Sequence, residues 1–224
     1  MVDYQLRWGI LARSTYASEE MSTTQFPLRE KRKAETRQSL IHAAQTLFAS
    51  NGYDATTLEE VARHAGLHVQ TLYRHFPNKQ ELATAGDEDL LERFREAITH
   101  PTRDTDTFTF WREWIRSATE KVTQDDGGES YRAYLLQRWR QPTVSSQLIR
   151  IGHQYEDLLT ESLARDFGMP ADGVGLPRLA ATALWGVNTH LQRLHASQVG
   201  FDLAREVVAA IDVVEDQFGH LVKH

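Results

Sequence analysis

Cysteine is absent from the 224 residues of this chain. Disulfide bonds and thiol redox sensing are therefore excluded, and the composition suits a reducing compartment. Long apolar runs are lacking too: none approaches the roughly 18 residues that a membrane span needs, and the early run at 8–12 is too short for a signal-peptide core. With 41% apolar residues, the chain can build a core without cross-links. We expect a soluble, cytoplasmic protein.

Motifs of catalysis are also missing. The sequence has no glycine-rich phosphate loop, no serine nucleophile elbow and no H-E-x-x-H zinc motif. His153, Glu156 and Asp157 share one helix face, but the Glu-x-x-His order of helical carboxylate metal sites does not occur. The sequence therefore predicts no catalytic residue, no metal, no cofactor and no enzymatic activity.

The net charge of −6 is distributed unevenly. Residues 29–79 contain eight Lys and Arg against five Asp and Glu, whereas residues 80–224 contain fifteen against twenty-three. Positive charge is thus concentrated in one short segment of an acidic protein. A local excess of this kind favours a polyanionic partner for that segment.

Two short helices joined by a tight turn are predicted within the basic segment. Thr57 followed by Glu60 is a capping box, which begins a helix at the next residue. Gly66 ends this helix, because a left-handed backbone conformation costs little only without a Cβ. A second helix is expected over 69–75, with Leu72 facing inward. This arrangement is typical of a helix-turn-helix.

The outward face of the second helix is rich in side chains that reach base edges or phosphates. Arginine suits guanine, glutamine suits adenine, and an apolar group suits the thymine methyl. Pro77 ends the helix, and Asn78 with Glu81 makes another capping box, so a third helix begins at Lys79 with its N-terminal N–H groups available to a phosphate. The predicted DNA contacts are Thr57, Val69, Gln70, Thr71, Tyr73, Arg74, His75 and Lys79.

The stretch from about Thr36 to Leu82 resembles a known domain. An amphipathic helix ending FASNGYDAT is followed by LEEVARHAGL and TLYRHFPNK, in an order and spacing similar to the DNA-binding domain of the TetR family of bacterial repressors. The chain departs from that pattern at His68, the N-cap of the recognition helix, where the family usually has a small capping residue. Such a cap is poorer by about 1 kcal/mol.

The chain divides into three predicted parts. Residues 1–28 lack any helical or strand period and are interpreted as a disordered extension, with Met21 as an alternative start. Residues 29–82 form the DNA-binding domain. The basic cluster at 29–33 is either a flexible arm that reaches DNA, as the resemblance implies, or a solvated tail. Residues 83–224 form a helical ligand-binding and dimerisation domain.

The expected fold class is all-α, because no strand pattern appears. The first helix is predicted over 35–49. A long helix over 79–99 begins in the DNA-binding domain and ends in the next one, so it can transmit a shift between them. Loop signals delimit the remaining predicted helices, which are 107–123, 130–139, 144–167, 177–196 and 202–221.

The last two predicted helices carry regular apolar seams with alternating spacings of four and three residues. The seams pack either inside one subunit or against their twins in a homodimer. The resemblance favours a homodimer, and so does the short reach of a single recognition helix. The predicted interface residues are Ala180, Leu184, Val187, Leu191, Val207, Ile211, Val214 and Phe218.

Aromatic residues are concentrated in the middle helices, where most would serve as core. The resemblance implies that this domain encloses a small-molecule pocket, and aromatic walls with a few polar groups are typical of one. The predicted ligand-binding residues are Trp111, Trp114, Tyr134, Gln137, Trp139, His153, Tyr155, Trp185, Asn188 and His190. The ligand would have apolar or aromatic character.

The predicted function is a ligand-responsive transcriptional regulator. The resemblance implies a repressor that binds a palindromic operator as a homodimer and is released by a small molecule. Two alternatives stay open. One is a regulator that needs a co-repressor or that activates transcription, and the other is a helical ligand-binding protein that has only retained a helix-turn-helix.

Overall fold

The computed structural model describes residues 27–124 and 127–223. The predicted extension 1–28, with its alternative start at Met21, lies outside these ranges except for its last two residues, which are helical. Within them, nine α-helices and a final 3-10 turn, Gly219–Leu221, occur and no strand does. The helices are α1 Pro27–Asn51, α2 Leu58–His64, α3 Val69–His75, α4 Lys79–Ile98, α5 Thr107–Thr123, α6 Glu129–Trp139, α7 Pro142–Phe167, α8 Leu176–Ser197 and α9 Leu203–Phe218.

The largest difference from the predicted helices is at the start of α1. It begins at Pro27, eight residues before the predicted position, so the basic cluster 29–33 forms helical turns and is not a flexible arm. The segment consists mainly of Arg, Lys, Glu and Ala, all strong helix formers. Proline suits a first turn, and Lys31 pairs with Glu35 one turn later at 4.0 Å.

The first core joins α1, α2, α3 and the beginning of α4. Leu40, Ile41, Val61 and Leu72 are fully buried there, beside Phe76 and Leu82. Each of the short helices contributes one or two apolar residues, which is too little to fold alone. The three-helix unit therefore depends on α1, whose long apolar face covers the other two.

The second core joins α4 to α9. α7 and α8 pack against each other along their lengths, and α9 packs against α5 and α8. Large side chains, including Phe94, Trp111 and Phe167, are fully buried in it. No helix in the described ranges is both long and apolar enough to cross a membrane.

The apolar seams of α8 and α9 belong to this second core. Ala180, Leu184, Val207 and Ile211 are at most 2% exposed, and Leu191 and Val214 are buried as well. Val187 and Phe218 are half-buried and pack on the same cluster. Packing within the single chain therefore accounts for most of the burial of these eight residues, and their place in a dimer interface stays a prediction.

α4 is part of both cores. Its first turns place Leu82 and Ala85 in the first core, and its later turns place Leu91, Phe94 and Ile98 in the second. The two ends of one helix are thus fixed in two different packing units.

Polar contacts also connect the two packing units. Gln137 of α6 donates to the Ala49 carbonyl of α1 at 2.8 Å, and Gln141 donates to Asp54 Oδ2 at 3.0 Å. Asp89 on α4 accepts from both Arg37 and Gln38 of α1. The first core is therefore held to the second by hydrogen bonds as well as by α4.

Candidate nucleic-acid interface

The entry to α2 has the predicted capping box. The Thr57 hydroxyl accepts from the Glu60 N–H at 3.2 Å, and the Glu60 carboxylate accepts from the Thr57 N–H at 2.8 Å. The pKa of the Glu60 carboxyl is lowered by the hydrogen bond from the Thr57 N–H and, to a smaller extent, by one from the Thr57 hydroxyl. α2 therefore starts at Leu58, and this start determines which of its residues face the first core.

The turn between α2 and α3 is fixed by glycine. Gly66 has a φ of +68°, and the Leu67 N–H donates back to the Ala62 carbonyl at 2.9 Å, which is the six-residue bond of a Schellman motif. α3 then starts at Val69 after His68, whose side chain makes no cap bond. The weak cap that the sequence predicts at His68 is confirmed.

The face of α3 is close to the predicted one. Gln70, Tyr73 and Arg74 are exposed, and Leu72 points into the first core. Val69 differs from the prediction, because it packs against that core instead of facing outward; it lies one turn before Leu72 and shares its side of the helix. Thr71 and His75 are half-buried at the margins of the exposed face.

His75 lies among cations. Burial lowers its pKa, and the charges of Arg74, Lys33 and Arg37 lower it further. Lys33 and Arg37 belong to α1, so the basic turns of that helix face the same region as the end of α3. The two helices together create the positive potential that a phosphate backbone requires.

Lys79 is held at the first turn of α4. Its Nζ donates to the Asp54 carbonyl at 3.3 Å and lies 4.4 Å from the centre of the Tyr53 ring. Partial burial lowers the pKa of Lys79, while Asp54 and Glu60 oppose that change. The ammonium has three N–H donors, so this bond leaves two for the predicted phosphate contact. Asn78 caps α4 as predicted, accepting from the Glu81 N–H at 2.9 Å.

Aromatic rings gather around Phe94 in the second core. Tyr155 lies 4.8 Å, Trp114 5.2 Å and Trp111 5.6 Å from it, centre to centre. Tyr155 in turn stacks on Trp185 at 4.7 Å. Four of the predicted ligand-binding residues are thus brought together, and we call these five side chains the ring cluster.

The other predicted ligand-binding residues are placed differently. Tyr134 is half-buried and stacks on Tyr131, Trp139 is half-buried and Asn188 is buried. Gln137 is turned to the Ala49 carbonyl, and His153 and His190 are exposed. The outward direction of these two histidines follows from their position on α7 and α8, whose opposite sides form the core.

Three charged residues near the ring cluster were not predicted from the sequence. Asp87 and Arg138 form a half-buried ion pair between α4 and α6, and Arg93 lies six residues further along α4. Burial alone would lower the pKa of Arg138, but Asp87 outweighs it and the pKa is raised. Charged residues on an amphipathic helix are normally solvated, so only three-dimensional packing identifies these as interior groups.

Comparisons with known proteins agree on one family. The family model described as "Bacterial regulatory proteins, tetR family" matches residues 40–85. The transcriptional regulator TcmR of Streptomyces glaucescens is 25% identical over 170 residues, which are 74% of this chain and 75% of TcmR. The transcriptional activator FasR of Mycolicibacterium smegmatis is 28% identical over 141 residues, 61% of this chain and 63% of FasR.

Solved structures share the fold. The complex of SmeT with triclosan superposes with a TM-score of 0.63 at 21% identity, covering 82% of this chain and 91% of SmeT; SmeT is the repressor of a multidrug efflux pump of Stenotrophomonas maltophilia. The relatives named are transcriptional regulators and not enzymes. Residues 40–85 therefore carry the DNA-binding domain described for the TetR family of bacterial regulatory proteins, and the chain shares its helical fold with SmeT.

Proposed function

We propose that the chain is a cytoplasmic repressor that binds a palindromic operator as a homodimer and is released by a small molecule. The observation that carries this proposal is the course of α4, which begins beside the exposed face of α3 and contributes Phe94 to the ring cluster. A ligand that displaces the ring cluster would move α4, and α4 would move α3.

The DNA contacts in this proposal come from α3 and its surroundings. Gln70, Thr71 and Tyr73 would meet base edges or adjoining backbone, and Arg74 would bind a guanine or a phosphate. Thr57, His75 and Lys79 would hold phosphates and set the register. One seven-residue helix spans only a few base pairs, so two copies on a two-fold site are needed for specificity.

For the dimer we propose an interface different from the one predicted by the apolar seams. Leu179 is 51% and Val213 63% exposed, and Ala183 and Gly186 follow Leu179 at spacings of four and three on the same side of α8. Nothing within 4 Å surrounds the position of a Cβ on Gly186, so a second helix could approach closely there. We call these four residues the outer stripe.

Release would follow from a change in the distance between the two recognition helices. On B-DNA they must lie about 34–36 Å apart to enter successive major grooves. A tilt of α4 in each subunit alters that distance. A ligand needs only a few kcal/mol of differential affinity for the released state to shift the population.

The test is fluorescence anisotropy of labelled DNA from upstream of the gene, titrated at two salt concentrations and against random competitor. Binding that resists competitor and gives a half-site palindrome in footprinting supports the proposal. Binding that is weak, driven only by salt-sensitive charge contacts and indifferent to sequence contradicts it.

Activation is a second candidate, favoured by the similarity to FasR, which is named an activator. In vitro transcription from the bound promoter separates the two. Protein that lowers transcript yield supports repression, and protein that raises it supports activation.

A further inference from the structure

Four nitrogen donors in the second core are sealed from solvent and lack an acceptor among the described residues. They are Arg93 Nε, Arg93 Nη2, Arg138 Nε and Trp111 Nε1. A buried N–H without a partner is costly, and native structures contain few. All four atoms are donors, so the missing partner is rich in acceptors.

The four donors surround the ring cluster from different helices. Arg93 lies on α4, Trp111 on α5 and Arg138 on α6. Trp111 contacts Phe94 and Trp185 through its ring, and Arg93 and Asp87 both lie near enough to Tyr155 to affect its pKa. The side chains that carry these donors therefore lie around Tyr155 and its stacking partner Trp185.

The charges of the groups around Tyr155 do not balance. Asp87 and Arg138 neutralise each other. Arg93 makes no ion pair within the described ranges. The groups that act on its charge are Asp89, Tyr155 and Glu96, and Asp89 is bonded to Arg37 and Gln38. Burial lowers the pKa of Arg93, yet a guanidinium stays protonated at neutral pH. One positive charge is left over beside the rings.

We propose that this regulator's effector is an organic acid with an aromatic body, whose carboxylate accepts from Arg93 and from Arg138 Nε while its rings lie against Tyr155, Trp185 and Trp111. The inference rests on the proposed function in one respect, that the ligand bound in this domain controls DNA binding. A carboxylate matches the planar fork of a guanidinium, and an acid neutralises the unbalanced charge where a neutral aromatic compound does not.

The same contact connects the effector directly to α4. Arg93 belongs to the helix that begins at the recognition helix, and Arg138 is the partner of Asp87 on that helix. An acid that accepts from Arg138 Nε brings a second negative charge to the guanidinium whose Nη2 donates to Asp87. The bond between α4 and α6 is then weakened at the moment when Arg93 is drawn to the ligand.

The experiment uses benzoate, naphthoate and anthracenecarboxylate, each compared with its neutral amide. Quenching of tryptophan fluorescence in the full-length protein gives the affinity for each compound. At least one acid is expected to bind about tenfold or more tightly than its amide, a difference that one charge-assisted contact provides. Arg93→Gln is expected to remove that preference.

Arg95→Gln is the matched control, since Arg95 lies on the same helix but pairs with Glu92 at the surface, at 3.4 Å. It is expected to leave the preference unchanged. A second variant, Arg93→Met, keeps the length of the side chain and removes the unpaired charge. It is expected to raise the Tm of the ligand-free protein, because an uncompensated buried charge is lost, while Arg95→Met is not.

The proposal is overturned if none of the three acids binds more tightly than its amide, or if Arg93→Gln and Arg95→Gln reduce acid binding equally. It is also overturned if Arg93→Met lowers the Tm and keeps the acid preference. Operator binding by the same wild-type preparation separates the two proposals. Specific operator binding without any acid preference supports the proposed regulator function and overturns the proposal of an acidic effector. Acid preference without operator binding supports the acid site and overturns the proposed regulator function.

Discussion

Tyr73 is the side chain of the recognition helix whose role is easiest to isolate. It is 46% exposed, and its hydroxyl donates to Glu59 Oε1 at 3.4 Å across the exposed side of α2. The neighbouring Leu72, by contrast, is fully buried. Removing the Tyr73 ring therefore takes away exposed surface of α3 without opening the core.

Tyr73→Ala is expected to weaken operator binding by about 1–3 kcal/mol, with a change in folding stability within about 0.5 kcal/mol, as for most surface substitutions. Anisotropy titration and thermal melting measure the two quantities. Leu72→Ala is the contrasting variant, and it should lose about 2–5 kcal/mol of stability. An unfolded Tyr73→Ala protein would show that the ring supports the fold.

His75 predicts a pH effect whose sign follows from its lowered pKa. The unfolded chain takes up a proton at its ordinary pKa, whereas the folded protein takes it up only at lower pH. The stability from His75 is therefore complete above the ordinary histidine pKa and is lost as the pH falls below it.

His75→Gln should flatten the decline in Tm between about pH 7.5 and 5.5, where an unperturbed histidine titrates. A decline in Tm that keeps the wild-type slope in His75→Gln would contradict this prediction.

At the scale of helices, local chemistry was enough to predict most boundaries. The capping boxes and glycines are short-range signals, so α2, α3 and α5 start and end where the sequence places them. The start of α1 at Pro27 was missed because a basic segment serves equally as a solvated arm or as a helix. The side of each helix that is buried was harder to predict: Arg93 and Arg138 differ from surface arginines only in what packs over them.

The N-cap of α3 offers a test of helix energetics in the interface itself. His68 has the extended backbone of a cap residue, with φ −72° and ψ 141°, yet makes no side-chain cap bond. His68→Ser supplies a hydroxyl that can accept from the N–H groups of the first turn. We expect a gain in stability of about 0.5–1 kcal/mol, measured by urea denaturation.

Thr57→Ala is the companion variant at the N-cap of α2. It removes both hydrogen bonds of the Thr57 hydroxyl with Glu60 and should destabilise the protein by about 1 kcal/mol. If His68→Ser destabilises the protein as well, the imidazole makes a contact that outweighs the cap.

At the scale of the whole molecule, the apolar surface that remains exposed determines how two copies can meet. The dimer prediction was based on the regular apolar seams of α8 and α9. Periodicity shows which side of a helix is apolar, but it does not show what covers that side. Folding uses those sides for the internal packing of α5, α7, α8 and α9. The outer stripe of Leu179, Ala183, Gly186 and Val213 is a weaker sequence signal, since small residues interrupt it.

Gly186→Arg tests that stripe directly. The position has open space around it, so an arginine fits the single chain and the fold should survive with the wild-type helical content. At a close interface between two copies, the same side chain would hold the helices apart and bury a charge, which costs several kcal/mol per ion. Light scattering is expected to show a monomer for this variant and a dimer for the wild type. Operator affinity should fall toward the non-specific level, because one recognition helix alone cannot span both half-sites.

Glu120→Arg, at an exposed position on α5, adds the same side chain away from the stripe and should leave the dimer intact. A Gly186→Arg protein that stays dimeric would place the interface on another surface.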